Sequence, residues 1–234
     1  MIPGAANIAS RIIERIHAEA PPVVLPVFIR ALQIRPGGYG EGDELCGVKV
    51  PTLRKIAKDN RDIPLEAVEV LLASKLHDAR FVALVILCLK FRQAPKDVLD
   101  VYLRNVRHIN NWDLVDCSAP HIVGAFCLTS GEHDVITRLA DADNFWKNRI
   151  AIVATLAFIK TEQFVLTLGL CERFIHHEHH LIHKACGWML REVSKRAPEL
   201  VIDFLQEHQD LSSITRSYAT EWMRKRGGGQ GSTS

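Results

Sequence analysis

The sequence predicts an all-α fold, a right-handed solenoid of stacked helix pairs with a concave face, on three observations. Strand signals are nearly absent: there is little period-2 alternation, there are few β-branched clusters, and no Asn-Gly hairpin occurs. The chain also repeats itself. "DARFVALVILCLKFR" begins at 78, "WDLVDCSAPHIVGAF" at 112, "KNRIAIVATLAFIK" at 147 and "HKACGWMLREVSKR" at 183, at spacings of 34, 35 and 36 residues. Finally, a shorter amphipathic segment follows each one, in order "KDVLDVYLRNV", "EHDVITRLA", "EQFVLTLGLCERF" and "PELVIDFLQEH". A helix pair at this period is the mark of a HEAT-type α-solenoid, because one pair alone cannot bury its apolar face and stacking creates a continuous core.

The elements follow in chain order. Residues 5–34 read as two helices, "NIASRIIERIHAEA" and "PVVLPVFIRALQ". The loop "RPGGYGEGDELCGVKV" comes next, and Pro51 opens the helix "PTLRKIAKDN" as a first-turn proline does. That loop lacks the GK[ST] ending and the preceding strand of a nucleotide-binding loop. In the segment from 112, Pro120 is expected to weaken the turn behind Asp116. "KNRIAIVATLAFIK" is apolar in almost every direction, which predicts a well-buried helix. Residues 1–226 are expected to form one domain and the tail "GGGQGSTS", within 227–234, to be flexible.

Bulk numbers exclude several classes. The 234 residues are 47% hydrophobic and 24% charged, with a net charge of +2, so global charge announces no polyanionic partner and any such partner needs a local basic surface. No apolar run reaches the length of a membrane span, and the first residues lack a signal peptide's order. Six cysteines, without a C-x-x-C pair, sit in apolar stretches, as reduced core residues of a cytoplasmic protein do.

"HHEHHLIH", residues 176–183, holds five of the 11 histidines. The H-E-x-x-H metal pattern fails because Leu181 stands where its second histidine belongs, and no cysteine or second carboxylate lies nearby. The stretch reads as a polar, partly exposed helix entrance. On a wheel of the helix behind it, Ile182, Ala185, Cys186, Met189, Leu190 and Val193 form the core stripe. Lys184, Trp188, Arg191 and Lys195 occupy the opposite side. Trp188 among cations suits either packing on another helix or contact with an anionic polymer. Trp112 and Asp116, four residues apart, share a side at the margin of their helix's apolar stripe. Arg149 falls among Ile152, Val153 and Leu156, and a buried arginine demands an acceptor. Asp116 in the preceding repeat is the natural candidate, either as a structural ion pair or as part of a site with the two indoles.

"INNWDLVDCSAPHIVG", "FWKNRIAIVATLAFIK", "LIHKACGWMLREVSKR" and "GYGEGDELCGVKVPTLRKIAK" closely resemble the AlkD-like DNA alkylation repair family, the HEAT-repeat DNA glycosylases. The resemblance spans roughly residues 25–225. It implies excision of N3- and N7-alkylated purines from duplex DNA, without a metal or redox cofactor. It places the functional tryptophan and aspartate of W-D-x-x-D at Trp112 and Asp116, the arginine at Arg149, and the tryptophan of K-A-x-G-W at Trp188. Asn111 stands where some relatives have a second tryptophan, and "LSSITRSYATEWM" matches more loosely.

These residue types suit that chemistry. A cationic alkylpurine leaves as a neutral base, so the general acid of an ordinary glycosidase is unnecessary and one carboxylate suffices. Asp116 is expected to stabilise the positive charge growing on the sugar, with Arg149 holding the carboxylate ionised and Trp112 and Trp188 offering π faces. Lys184, Arg191, Lys195 and Arg54 are the expected phosphate contacts on the concave surface. The protein is expected to act as a monomer on double-stranded DNA, with no membrane partner. The alternatives are a non-excising relative that binds distorted or branched DNA, and a scaffold for another protein.

Overall fold

The computed structural model describes residues 3–227. The expected flexible tail, apart from Gly227, lies outside the described residues. All named elements are helical; among the described residues β-type pairing amounts to one isolated bridge, Glu44 to Leu76. The chain divides into two compact units, residues 1–122 and 123–234.

The first unit contains α1 (Pro3–Ala18), α2 (Pro26–Ala31), α3 (Val50–Asp59), α4 (Leu65–Leu72), α5 (His77–Lys90), α6 (Pro95–Arg104) and α7 (Trp112–Ser118). Prolines open α2, α3 and α6, where a missing N–H costs nothing because the first turn has no intrahelical acceptor. In α1, Ala5, Ala9, Ile12 and Ile16 form one buried row at helical spacing. The centre of the unit is α5, buried continuously from His77 to Leu87 and packed by α3, α4, α6 and α7. The second N-terminal helix, expected over 22–33, is shorter in the structure, and none of its residues is buried. Val27, Phe28 and Ile29 on it stay largely exposed.

A π-helical turn, Pro120–Gly124, interrupts the segment that begins at 112. Proline supplies no N–H to the α-helical ladder, so the chain leaves the regular pattern there and resumes it at α8.

The second unit contains α8 (Ala125–Ser130), α9 (Asp134–Ala140), α10 (Phe145–Ala154), α11 (Leu156–Ile159), α12 (Val165–Arg173), α13 (His180–Ser194), α14 (Pro198–Glu207) and α15 (Ser213–Gly227). Gly131, in the left-handed region at φ 76°, ends α8. As the sequence predicts, α10 is buried almost all round, including Asn148 and Arg149. The segment breaks after it at Thr155, whose hydroxyl donates back to the Ile152 carbonyl at 2.7 Å. On α13 the expected stripe of Ile182, Ala185, Cys186, Met189, Leu190 and Val193 is buried. A close crossing joins α13 to α15 at Gly187. A Cβ there would lie 2.5 Å from the Tyr218 Cβ and 2.8 Å from the Thr215 carbonyl oxygen. No helix among the described residues is long and apolar enough to cross a membrane.

Candidate active site

The start of α7 carries Trp112 and Asp116. Asn111 is fully buried and caps the helix, its side-chain oxygen accepting from the Trp112 N–H at 2.9 Å. Its amide nitrogen donates to the Leu32 carbonyl at 3.0 Å. The Trp112 indole Nε1 donates to the neighbouring Ala31 carbonyl at 3.1 Å, and the Tyr39 hydroxyl donates to the same oxygen at 2.8 Å. The last carbonyls of α2, which lack helical partners, thus become the anchor that orients the indole. Asp116 follows one turn later on the same side of α7 and is half-buried, as is Trp112.

Behind this turn lies a buried ionic group that the sequence reading did not find. His77 Nε2 meets an Asp113 carboxylate oxygen at 2.8 Å, and its Nδ1 lies 3.8 Å from Asp43. Arg80 pairs with Asp43. Burial works against a proton on His77, but the hydrogen bonds to Asp113 and Asp43 overcome it and push the group up to about 9, so at neutral pH it is an imidazolium. Burial opposes ionisation of Asp43 too, yet the bonds from His77 and Arg80 hold it below the usual range. The adjacent Asp78 accepts from the Cys46 and Val48 N–H groups at 2.9 and 3.0 Å, which pins the end of the glycine-rich loop against α5. The legible signal was "HDAR" at the head of an otherwise apolar helix, since charges buried at such a place need partners.

The second unit holds Arg149 and Trp188. Arg149 is 4% exposed, and its guanidinium donates to the Leu181 carbonyl at 2.5 Å. Trp188 is half-buried on α13, on the side away from the core stripe, with Lys184 and Arg191 similarly half-buried and Lys195 exposed. Two of these cations are already matched by carboxylates: Arg191 pairs with Glu221, and Lys195 lies 2.6 Å from Glu192. Hydrogen bonds from Lys225 and Arg191 bring Glu221 down to about 2. Arg54, on α3 in the first unit, is exposed, with its guanidinium carbon 5.8 Å from the centre of the Phe81 ring.

The histidine run is the entrance to α13. His179 caps the helix through Nδ1, which accepts from the Leu181 N–H at 3.2 Å, and His177 Nδ1 accepts from the His179 N–H at 3.0 Å. The His179 ring stacks on Phe145 at 3.8 Å and on His180 at 4.9 Å. Burial, then the neighbouring His180 and His177, push His179 down to about 4, which keeps it neutral and fit to accept.

Trp112 and Asp116 therefore come together on α7 and Lys184, Trp188 and Arg191 on α13, one group in each unit. A sequence profile described as "DNA alkylation repair enzyme" matches residues 14–223. Among solved structures, a "Predicted DNA alkylation repair enzyme from Enterococcus faecalis" superposes with a TM-score of 0.69 at 20% identity, over 80% of this chain and 92% of that one. AlkD2 from Streptococcus mutans superposes with a TM-score of 0.58 at 18% identity, over 74% of this chain and 89% of that one. No curated protein matches. The structural likenesses bear on the fold, and the profile covers nearly the whole sequence: the chain belongs to the DNA alkylation repair enzyme family.

Proposed function

We propose that the protein is a DNA glycosylase that excises cationic N3- and N7-alkylated purines from duplex DNA, with Asp116 as its one essential carboxylate. In this reading the helix pairs stack as a right-handed solenoid of HEAT type and the duplex lies along its concave face. The observation that carries the reading is the pairing of Asp116 with Trp112 on one side of α7, the indole held by its own hydrogen bond to Ala31.

The chemistry follows from charge. The alkylated purine already carries a positive charge, so the glycosidic electron pair passes to the ring nitrogen without prior protonation. The charge reappears on the sugar. A fixed carboxylate stabilises that growing charge more than the ground state, which is the condition for a faster reaction. Trp112 and Trp188 add electron-rich faces worth ~1–2 kcal/mol each near a desolvated cation. Arg149, buried with its guanidinium donating to the Leu181 carbonyl, is the arginine this reading assigns to the reaction. Lys184 and Arg54 hold phosphates directly; Arg191 and Lys195 contribute as members of mixed-charge pairs.

The test is release of 7-methylguanine and 3-methyladenine from alkylated duplex DNA. Asp116→Asn is expected to lower the rate at least about 100-fold, as loss of a preorganised electrostatic group does, with DNA affinity retained. Tight binding with no release by either protein identifies instead a non-excising reader of distorted DNA.

A further inference from the structure

The histidine run does more than cap α13. Four aromatic rings lie in series: Trp146 against Phe145 with centroids 4.4 Å apart, Phe145 on His179 at 3.8 Å, and His179 on His180 at 4.9 Å. His179 is fixed twice over, its ring by the Leu181 N–H and its backbone N–H by the His177 ring. The last ring of the series, His180, is thereby held in place although it is exposed. At 100° per residue, His180, Lys184 and Arg191 fall within about 40° of one another on α13, with Lys195 and Trp188 within about 80°. His180 therefore heads the basic row that the sequence predicts on this helix.

The two ends of that row differ in charge balance. Arg191 and Lys195 have Glu221 and Glu192, but among the described residues no carboxylate pairs with His180, His183 or Lys184. The groups around the His180 and His179 rings are His183 and Lys184 on α13, His177 in the entrance, and Arg149 on α10. The nearby carboxylates serve other histidines: the field of Glu178 falls on His177, and Asp210 lies 3.2 Å from His176. Partial burial, then Lys184, His183 and Arg149, hold His180 below the ordinary imidazole value, so its ring is neutral at pH 7. The backbone at this end is already engaged, since the Leu181 and Ile182 N–H groups both donate to His179. An anion arriving here meets side chains. Residues four apart on a helix have Cβ atoms about 5–6 Å apart, so His180 and Lys184 reach the same phosphate group.

We propose that His180 and Lys184 together seat one phosphate of the duplex, and that His180 takes up a proton from solvent as the phosphate arrives. The inference rests on the duplex-binding part of the proposed function and not on excision. The phosphate supplies the counter-charge that this end of α13 lacks, and it reverses the balance around the ring. The neutral imidazole becomes an imidazolium, with both ring nitrogens able to donate. Because the stack on Phe145 and His179 already orients the ring, little side-chain freedom is lost on binding. The sign of the pH dependence follows from linkage. The complex holds one more proton than the separate partners, so affinity rises as the pH falls between the values of the ring in the two states.

The test measures affinity for an undamaged duplex by fluorescence anisotropy at about pH 5.5 and about pH 8, either side of the imidazole range, each over a series of salt concentrations. The full chain is compared with His180→Gln and His180→Arg. The position is exposed, and thermal melts at both pH values verify that the variants fold. The native protein is expected to bind about three- to tenfold more tightly at the lower pH, as a ring value raised by up to about one unit gives. Its slope of log affinity against log salt is expected to be steeper there by about 0.9, one further cation on phosphate. His180→Gln is expected to lose both differences, while the other histidines act alike in the two proteins and cancel. His180→Arg is expected to bind at the higher pH as tightly as native protein does at the lower. A pH dependence that His180→Gln retains, or affinity independent of pH, overturns the proposal and leaves duplex binding standing. Affinity that rises with pH also overturns it, and identifies a neutral ring stacked on a base. No duplex binding at either pH removes the DNA reading and this inference together.

Discussion

Asn111 donates to the Leu32 carbonyl at 3.0 Å across 79 positions of sequence, while its own oxygen caps α7 at the Trp112 N–H. One buried side chain thereby joins the end of α2 to the start of the helix that carries Trp112 and Asp116. Asn111→Ala removes both bonds and is expected to cost about 1–3 kcal/mol. Asn111→Asp keeps the cap but sets a buried carboxylate oxygen against the Leu32 carbonyl, so its urea midpoint is expected below that of the Ala variant. Equal midpoints for the two variants would remove the tether to Leu32 from this account.

His77 makes stability depend on pH in the alkaline direction. Its unfolded value is the ordinary 6.5 and its folded value about 9. A raised pKa contributes stability that is fully present below pH 6.5 and lost as the pH rises through 9, here at most about 3 kcal/mol. His77→Asn is expected to be less stable than native protein at pH 6, and the gap is expected to narrow by pH 9.5. Parallel melting profiles for the two proteins over that range would refute the charge assigned to this pair.

Gly187 is required by the α13–α15 crossing. In Gly187→Ala the new Cβ overlaps the Tyr218 Cβ and the Thr215 carbonyl, neither of them a flexible side-chain end, so the helices must move apart. The expected cost is about 1–3 kcal/mol. Adding Tyr218→Ala is not expected to restore stability, because the offending Cβ and carbonyl both remain. Denaturation of the single and double variants checks this, and a rescue would show that the Tyr218 ring sets the spacing.

Glu221 restrains the basic side of α13. Glu221→Gln removes the carboxylate that pairs with Arg191 and Lys225. If the protein holds duplex DNA there, the variant binds more tightly at low salt, and the slope of log affinity against log salt steepens by about 0.9 for each cation recruited to phosphate. An unchanged slope would place the duplex away from Arg191.

The composition and periodicity of this chain determined its helices. Apolar residues at helical spacing marked α5, α10 and α13 and the faces they bury, because burial of a stripe is a property of one segment read alone. The basic side of α13 was legible for the same reason. So was the break at Pro120, which is local stereochemistry. Trp112, Asp116, Arg149 and Trp188 were singled out by helical spacing and burial, and their expected roles came from a resemblance of motifs. Tertiary structure alone decided what depends on residues distant in sequence. It matched Asn111 with Leu32, His77 with Asp113 and Arg191 with Glu221. A hydrogen bond or an ion pair has no period along the chain; it exists only where folding brings two groups within about 3 Å of each other, and no single segment encodes that distance.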